Sequence, residues 1–158
     1  MQMQDTVTQV GDLERYVYNG RIDIPNTYSA GTVGSHFLTE LRDNKHILGM
    51  KCEKCNVVYV PPRSTCKYCF AKLADSWVEV GDKGTLLTYT VNFAPTAAQP
   101  VESPIIYGIV QLDGATTGFV HMLGEVDLED LRIGMRMQAV FQPEPKASIL
   151  AIKYFKPL

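Results

Sequence analysis

The 158-residue sequence has no apolar run near the roughly 20 residues that a membrane-spanning helix needs. It has no Gly-x-Gly-x-x-Gly, no phosphate loop, no Gly-x-Ser-x-Gly and no His-Glu-x-x-His. The common signatures for dinucleotides, nucleoside triphosphates, serine hydrolysis and zinc proteolysis are therefore missing. Charge of one sign is also missing: the net charge of -2 gives no overall pull toward nucleic acid or an anionic membrane. The first residues, Met1 to Asp12, are polar and lack a basic-then-apolar signal pattern, so a cytoplasmic protein is expected. Internal repeats and low-complexity stretches are absent, but apolar residues are plentiful at 46%, enough to build a core.

Cysteine is scarce but organised. The four residues stand as Cys52-Glu-Lys-Cys55 and Cys66-Lys-Tyr-Cys69. In a reducing compartment such pairs suggest a metal rather than disulfides. Each Cys-x-x-Cys turn lets two thiolates reach one ion, and two turns complete the tetrahedral sulfur set that zinc prefers. Two disulfides or four unrelated thiols fit the spacing less well. Iron in a rubredoxin-like site shares the ligands and geometry and is the competing metal. Four cysteines leave no open coordination position, so the expected Zn2+ is structural and activates no water.

The chain divides into an N-terminal arm and helix (1–45), a zinc ribbon (46–80) and a barrel (81–158). The arm is polar up to residue 31, with short apolar spots and a Pro25-Asn26 turn signal. Residues 35–45 are expected to form a short helix capped by Ser35, with Phe37, Leu38 and Leu41 on one face. Short strands should flank the cysteines at 47–50, 57–60 and 77–80. Beyond residue 84 come five strand-like runs: 85–93, 105–112, 118–123, 135–141 and 149–155. A helix-like Asp127–Leu131 precedes the fourth run. Five strands in so short a stretch suit a small closed barrel of the OB type. The fold class is thus mainly β: arm and short helix, rubredoxin-like zinc ribbon, five-stranded OB-fold barrel.

No catalytic residue is expected. His121 lies within a strand-like run and reads as a satisfied barrel histidine, and His46 as a surface or packing residue. The charges are unevenly placed. From Arg42 to Lys72 there are seven basic and two acidic residues, while from Gly84 to Gln142 only Arg132 and Arg136 face six acids. A nucleic-acid-binding barrel should carry a basic groove with interleaved aromatics, and this barrel is acidic. The cationic ribbon suits a local anionic ligand or an acidic partner surface.

Taken together, Leu48-Gly-Met-Lys-Cys-Glu-Lys-Cys-Asn56, Val60-Pro-Pro-Arg-Ser-Thr-Cys-Lys-Tyr-Cys69, Trp77-Val-Glu-Val80 and Gly84-Thr-Leu-Leu-Thr-Tyr-Thr-Val91 resemble one family. It is the family of OB-fold proteins with a rubredoxin-like zinc ribbon that accompany acyl-CoA enzymes. The Pro61-Pro62-Arg63 step and the late Ile133-Gly134 add to the likeness, which spans about residues 35–156. Asn56 stands where glycine is common in the family, and asparagine tolerates the left-handed backbone needed there. The resemblance implies a non-catalytic companion subunit in a hetero-oligomer with a thiolase or thiolase-like enzyme acting on CoA thioesters. The acidic barrel and the lack of a spanning run lead to the expectation of no nucleic acid and no membrane as partner. The resemblance further implies that Lys51, Lys54, Arg63 or Lys67 could contact the phosphates of a CoA thioester. Nucleic-acid binding and rubredoxin-like electron transfer are the alternative functions.

Overall fold

The structure is a computed structural model that describes residues 6–11, 13–17, 24–73, 75–94 and 101–158. The arm begins with two short strands, β1 (Thr6–Val10) and β2 (Leu13–Val17), paired antiparallel. This hairpin is absent from the sequence reading, although Gly11-Asp12 between two five-residue runs is a two-residue turn signal. Gly11 adopts φ +63°, as such a turn requires.

Helix α1 (Gly31–Asp43) starts four residues before the expected Ser35. Its N-cap is Ala30, with no side-chain cap. Neither Gly31 nor Gly34 favours a helix, so packing selects this first turn. Val33 lies against the ribbon's buried cluster, while Phe37 and Leu41 enter the main core.

The ribbon is a three-stranded antiparallel sheet of β3 (Leu48–Cys52), β4 (Val57–Tyr59) and β5 (Trp77–Glu79), in the order β4-β3-β5. Pro61 and Pro62 follow β4 directly, and proline cannot extend a ladder of backbone donors. The outer edge of β4 is covered by the barrel. Thr116 N–H donates to Val58 O at 2.9 Å, Val58 N–H to Thr116 Oγ1 at 3.0 Å, and Val60 N–H to Thr117 Oγ1 at 2.8 Å.

The remaining strands, β6 (Lys83–Asn92), β7 (Ile105–Leu112), β8 (Phe119–Leu123), β9 (Arg136–Phe141) and β10 (Ile152–Pro157), close in the order β10-β8-β7-β6-β9. Closure comes from β6 pairing with β9 over Lys83–Thr85 and from the single parallel pair, β10 with β8, at Phe155 and Leu123. Alternate residues point inward, among them Leu86, Val110, Leu112, Phe119, Met137, Ile152 and Phe155, all essentially inaccessible. Gly84 sits where a Cβ would come within 2.4 Å of Gln111 O, so closure there depends on a bare backbone.

Two barrel details differ from the sequence reading. Asp127–Leu131 makes a turn, with Asp130 N–H donating to Asp127 O at 3.0 Å, and not a helix. The Arg132 guanidinium instead takes the Glu129 and Leu131 carbonyls. The last strand starts at Ile152, because residues 149–151 form a 3-10 turn capped by Ser148, whose hydroxyl accepts from Leu150 N–H. Among the described residues, no helix is long and apolar enough to cross a membrane.

Candidate metal centre

Cys52 ends β3, and the turn through Cys55 returns the chain to β4, with Cys52 opposite Val57. The second turn is held by Cys66 N–H donating to Ala71 O at 2.9 Å and Phe70 N–H donating to Cys66 O at 3.1 Å. Each turn is followed by a residue in the left-handed region, Asn56 at φ +51° and Phe70 at φ +57°. The two knuckles thus repeat one geometry. Asparagine accepts it readily, whereas for phenylalanine the conformation costs about 1–2 kcal/mol.

The knuckles bring the four Sγ atoms within 4.8 Å of one another, the one such cluster of metal-ligating side chains among the described residues. Cys52 Sγ and Cys69 Sγ lie 3.6 Å apart, and none of the four thiols is in a disulfide. A tetrahedron with zinc–sulfur bonds of about 2.3 Å has edges of about 3.8 Å, so the spacing fits a zinc ion. Cys52 and Cys66 are buried; Cys55 and Cys69 are half-buried.

Tyr59, buried in this small core, organises the second knuckle. Its hydroxyl accepts from Lys67 N–H at 3.2 Å and lies 3.2 Å from Cys66 Sγ, to which it donates. That bond draws the Cys66 thiol down to about 6. Cys55 moves the opposite way, pushed up to about 12 chiefly by its hydrogen bond with Cys69, and burial raises Cys52. One sulfur ionises easily, helped by the Tyr59 hydroxyl, while the next is kept protonated by its hydrogen bond with Cys69 and by burial. A divalent cation held by Cys52, Cys55, Cys66 and Cys69 would take the place of these protons and neutralise the thiolates.

The four candidate phosphate contacts are spread over both knuckles. Lys51 is paired with Glu53 at 3.0 Å. Lys54 is exposed in the first turn. The Arg63 guanidinium lies 5.4 Å from the Tyr59 ring centre, and the Lys67 ammonium 4.7 Å from that of Tyr68. Tyr59 therefore joins Arg63 and Lys67 to the sulfur cluster, a role the sequence alone did not single out. His36 was also missed. It meets Trp77 edge-on at 4.6 Å, on the wall of a groove of about 460 Å³ between α1 and the ribbon.

His46 is exposed, 3.7 Å from Glu40. His121 is buried between Phe119 and Phe155, 5.9 Å from each ring. Its Nδ1 accepts from Met122 N–H at 2.8 Å, which leaves Nε2 to donate to Ile149 O at 3.2 Å. Both ring nitrogens are satisfied in the neutral form, and burial holds the imidazole below its ordinary value.

Comparison with known families agrees with this layout. Residues 39–74 match the model for the ChsH2 rubredoxin-like zinc ribbon domain, and residues 77–142 match that for the ChsH2 C-terminal OB-fold domain. The chain carries a ChsH2-type zinc ribbon followed by a ChsH2-type OB-fold domain. A DUF35 domain-containing scaffold protein of Methanocaldococcus jannaschii is 26% identical over 102 residues, which cover 65% of this chain and 72% of the relative. The counterpart in Methanothermobacter thermautotrophicus is 28% identical over 98 residues, covering 61% and 72%. Among solved structures, a chain described as "Ltp2-ChsH2(DUF35) aldolase" aligns over 78% of this chain and 93% of its own, with TM-score 0.57 and 22% identity. A DUF35-family protein of unknown function from Sulfolobus solfataricus aligns over 81% and 87%, with TM-score 0.61 and 22% identity. These two likenesses are of fold.

Proposed function

We propose that this chain is a non-catalytic companion subunit of an enzyme that makes or breaks a carbon–carbon bond in a CoA thioester. The cysteine cluster carries the reading. It commits all four thiols of the chain to one closed metal set, so no cysteine remains as a nucleophile. The reacting groups then belong to a partner subunit. Cys52, Cys55, Cys66 and Cys69 hold one structural Zn2+, which ties residues 46–80 into a rigid, cationic ribbon beside the barrel of residues 81–158. Within this class the partner is a thiolase. Lys54, Arg63 and Lys67, exposed on the ribbon, would offer positive charge to CoA phosphates, and Lys51 less so because it pairs with Glu53.

An aldolase partner is the second reading. It is favoured by the likeness of shape to the chain described with an Ltp2-ChsH2 aldolase, and by the scaffold description of the archaeal relatives. The experiment is purification of the tagged chain from its native source, with identification of what co-elutes. A thiolase or aldolase at fixed stoichiometry is the expected outcome. The lone chain should contain one zinc, be colourless, and show no thiolytic activity with acyl-CoA and CoA. Robust turnover by the lone chain would overturn the proposal.

A further inference from the structure

The second knuckle carries a residue that the fold itself does not call for. Phe70 follows Cys69 at φ +57°, where Asn56 follows Cys55 at φ +51°. The two positions have the same backbone task, and glycine or asparagine performs it without strain. Phe70 is nonetheless 77% exposed and packs into neither buried cluster. Single exposed apolar residues are ordinary, as are occasional left-handed ones. A large aromatic that combines both, two residues from Tyr68 at 62% exposure, gives the isolated chain no packing in return for the strain.

The surroundings indicate what would cover it. The Lys67 ammonium lies over Tyr68, the Arg63 guanidinium over Tyr59, and Lys54 and Lys72 are exposed on the same ribbon. The second knuckle therefore presents two exposed aromatics, Tyr68 and Phe70, the first with a cation on its face, within a stretch of chain from Arg42 to Lys72 that carries seven basic residues against two acids. Rigid aromatic anchors with a charged rim are the usual centre of a protein–protein contact.

We propose that Phe70 is a docking anchor that seats in an apolar, carboxylate-rimmed pocket on the partner subunit. This rests on the companion-subunit reading and goes beyond it by naming the contact. An anionic membrane or single-stranded nucleic acid would also meet cations and aromatics, but the barrel segment from Gly84 to Gln142 carries two basic residues against six acids and would extend neither contact.

The test uses the partner that co-purifies with the unaltered chain, separated and titrated back. Phe70→Asn and Phe70→Gly both suit the backbone, so one zinc and an unchanged or higher melting temperature are expected. Partner affinity should fall at least tenfold, and that of the unaltered chain should weaken with added salt. Val120→Thr, on the barrel's exposed outer face, should bind normally. Equal partner affinity for the Phe70 variants and the unaltered chain would overturn the anchor and leave the companion reading standing. So would an equal loss in Val120→Thr. Phe70-dependent binding to phosphatidylserine vesicles or a single-stranded oligonucleotide, without loss of partner affinity, would reassign the second knuckle and overturn the anchor too. If no partner co-purifies, the companion reading fails and the anchor fails with it.

Discussion

The ribbon and the barrel solve the same problem by different means. The barrel shares a continuous buried cluster with α1 and the ribbon's base, running from Phe37 and Ile47 through Leu86, Phe119 and Phe155. The ribbon's own buried cluster is Met50, Cys52, Val57, Tyr59, Cys66 and Leu73, of which two are metal-ligand candidates. Burial of apolar area can hold the first. The second is too small for that and depends on coordination chemistry. The charges divide along the same line, cationic on the ribbon and acidic on the barrel. A small unit on a metal clamp can present strained or costly side chains that a packed core would not tolerate.

The comparison can be broken most forcefully at the metal. Chelation, or Cys66→Ser, should unfold the ribbon, since structural zinc binding contributes on the order of 10 kcal/mol or more. Amide hydrogen exchange should show β3 to β5 losing protection while the barrel strands keep theirs. Simultaneous loss of both would mean that the two units are one cooperative block. Next in size is Phe155→Ala, which should destabilise the barrel by about 3–5 kcal/mol in chemical denaturation. Its zinc content should stay at one per chain; loss of zinc would deny the ribbon its independence.

Tyr59→Phe tests the link between the two kinds of stabilisation. It keeps the ring in the small core but removes the hydroxyl from Cys66, so zinc affinity should fall roughly 10–100-fold in a competition assay with little change in the barrel. Phe70→Asn should raise the ribbon's stability by about 1 kcal/mol, measured by zinc-dependent thermal unfolding. The smallest effect separates the units by pH. His121 is held below its ordinary value by burial, so the unfolded chain takes up a proton near pH 6.5 that the folded barrel resists. Stability present above about pH 6.5 should therefore decline as the pH falls toward the folded value. Denaturation at pH 7.5 and 5.5 should show this slope in the unaltered chain and a flatter one in His121→Gln.

Much of this was legible in the sequence because it is encoded locally. The two Cys-x-x-Cys spacings announce the sulfur cluster, and alternation along Ile105–Leu112 announces a barrel strand. The left-handed turn at Asn56 follows from the residue type. What was missed is settled by contacts distant in sequence or by a broken local rule. The first turn of α1 forms across two glycines because Val33 packs on the ribbon. Tyr59 gains its role only when Cys66 and Lys67 fold onto it. Phe70 hides because no propensity places an aromatic in a left-handed turn.

Thr116 and Thr117, in the connection before β8, occupy the outer edge of β4 as a surrogate strand would. An uncovered edge strand is a template for pairing with other chains. The barrel therefore acts as a guard against self-association of the ribbon. Metal-depleted protein that slips this guard should fail by aggregating through β4, which makes solubility, more than secondary structure, the first property lost.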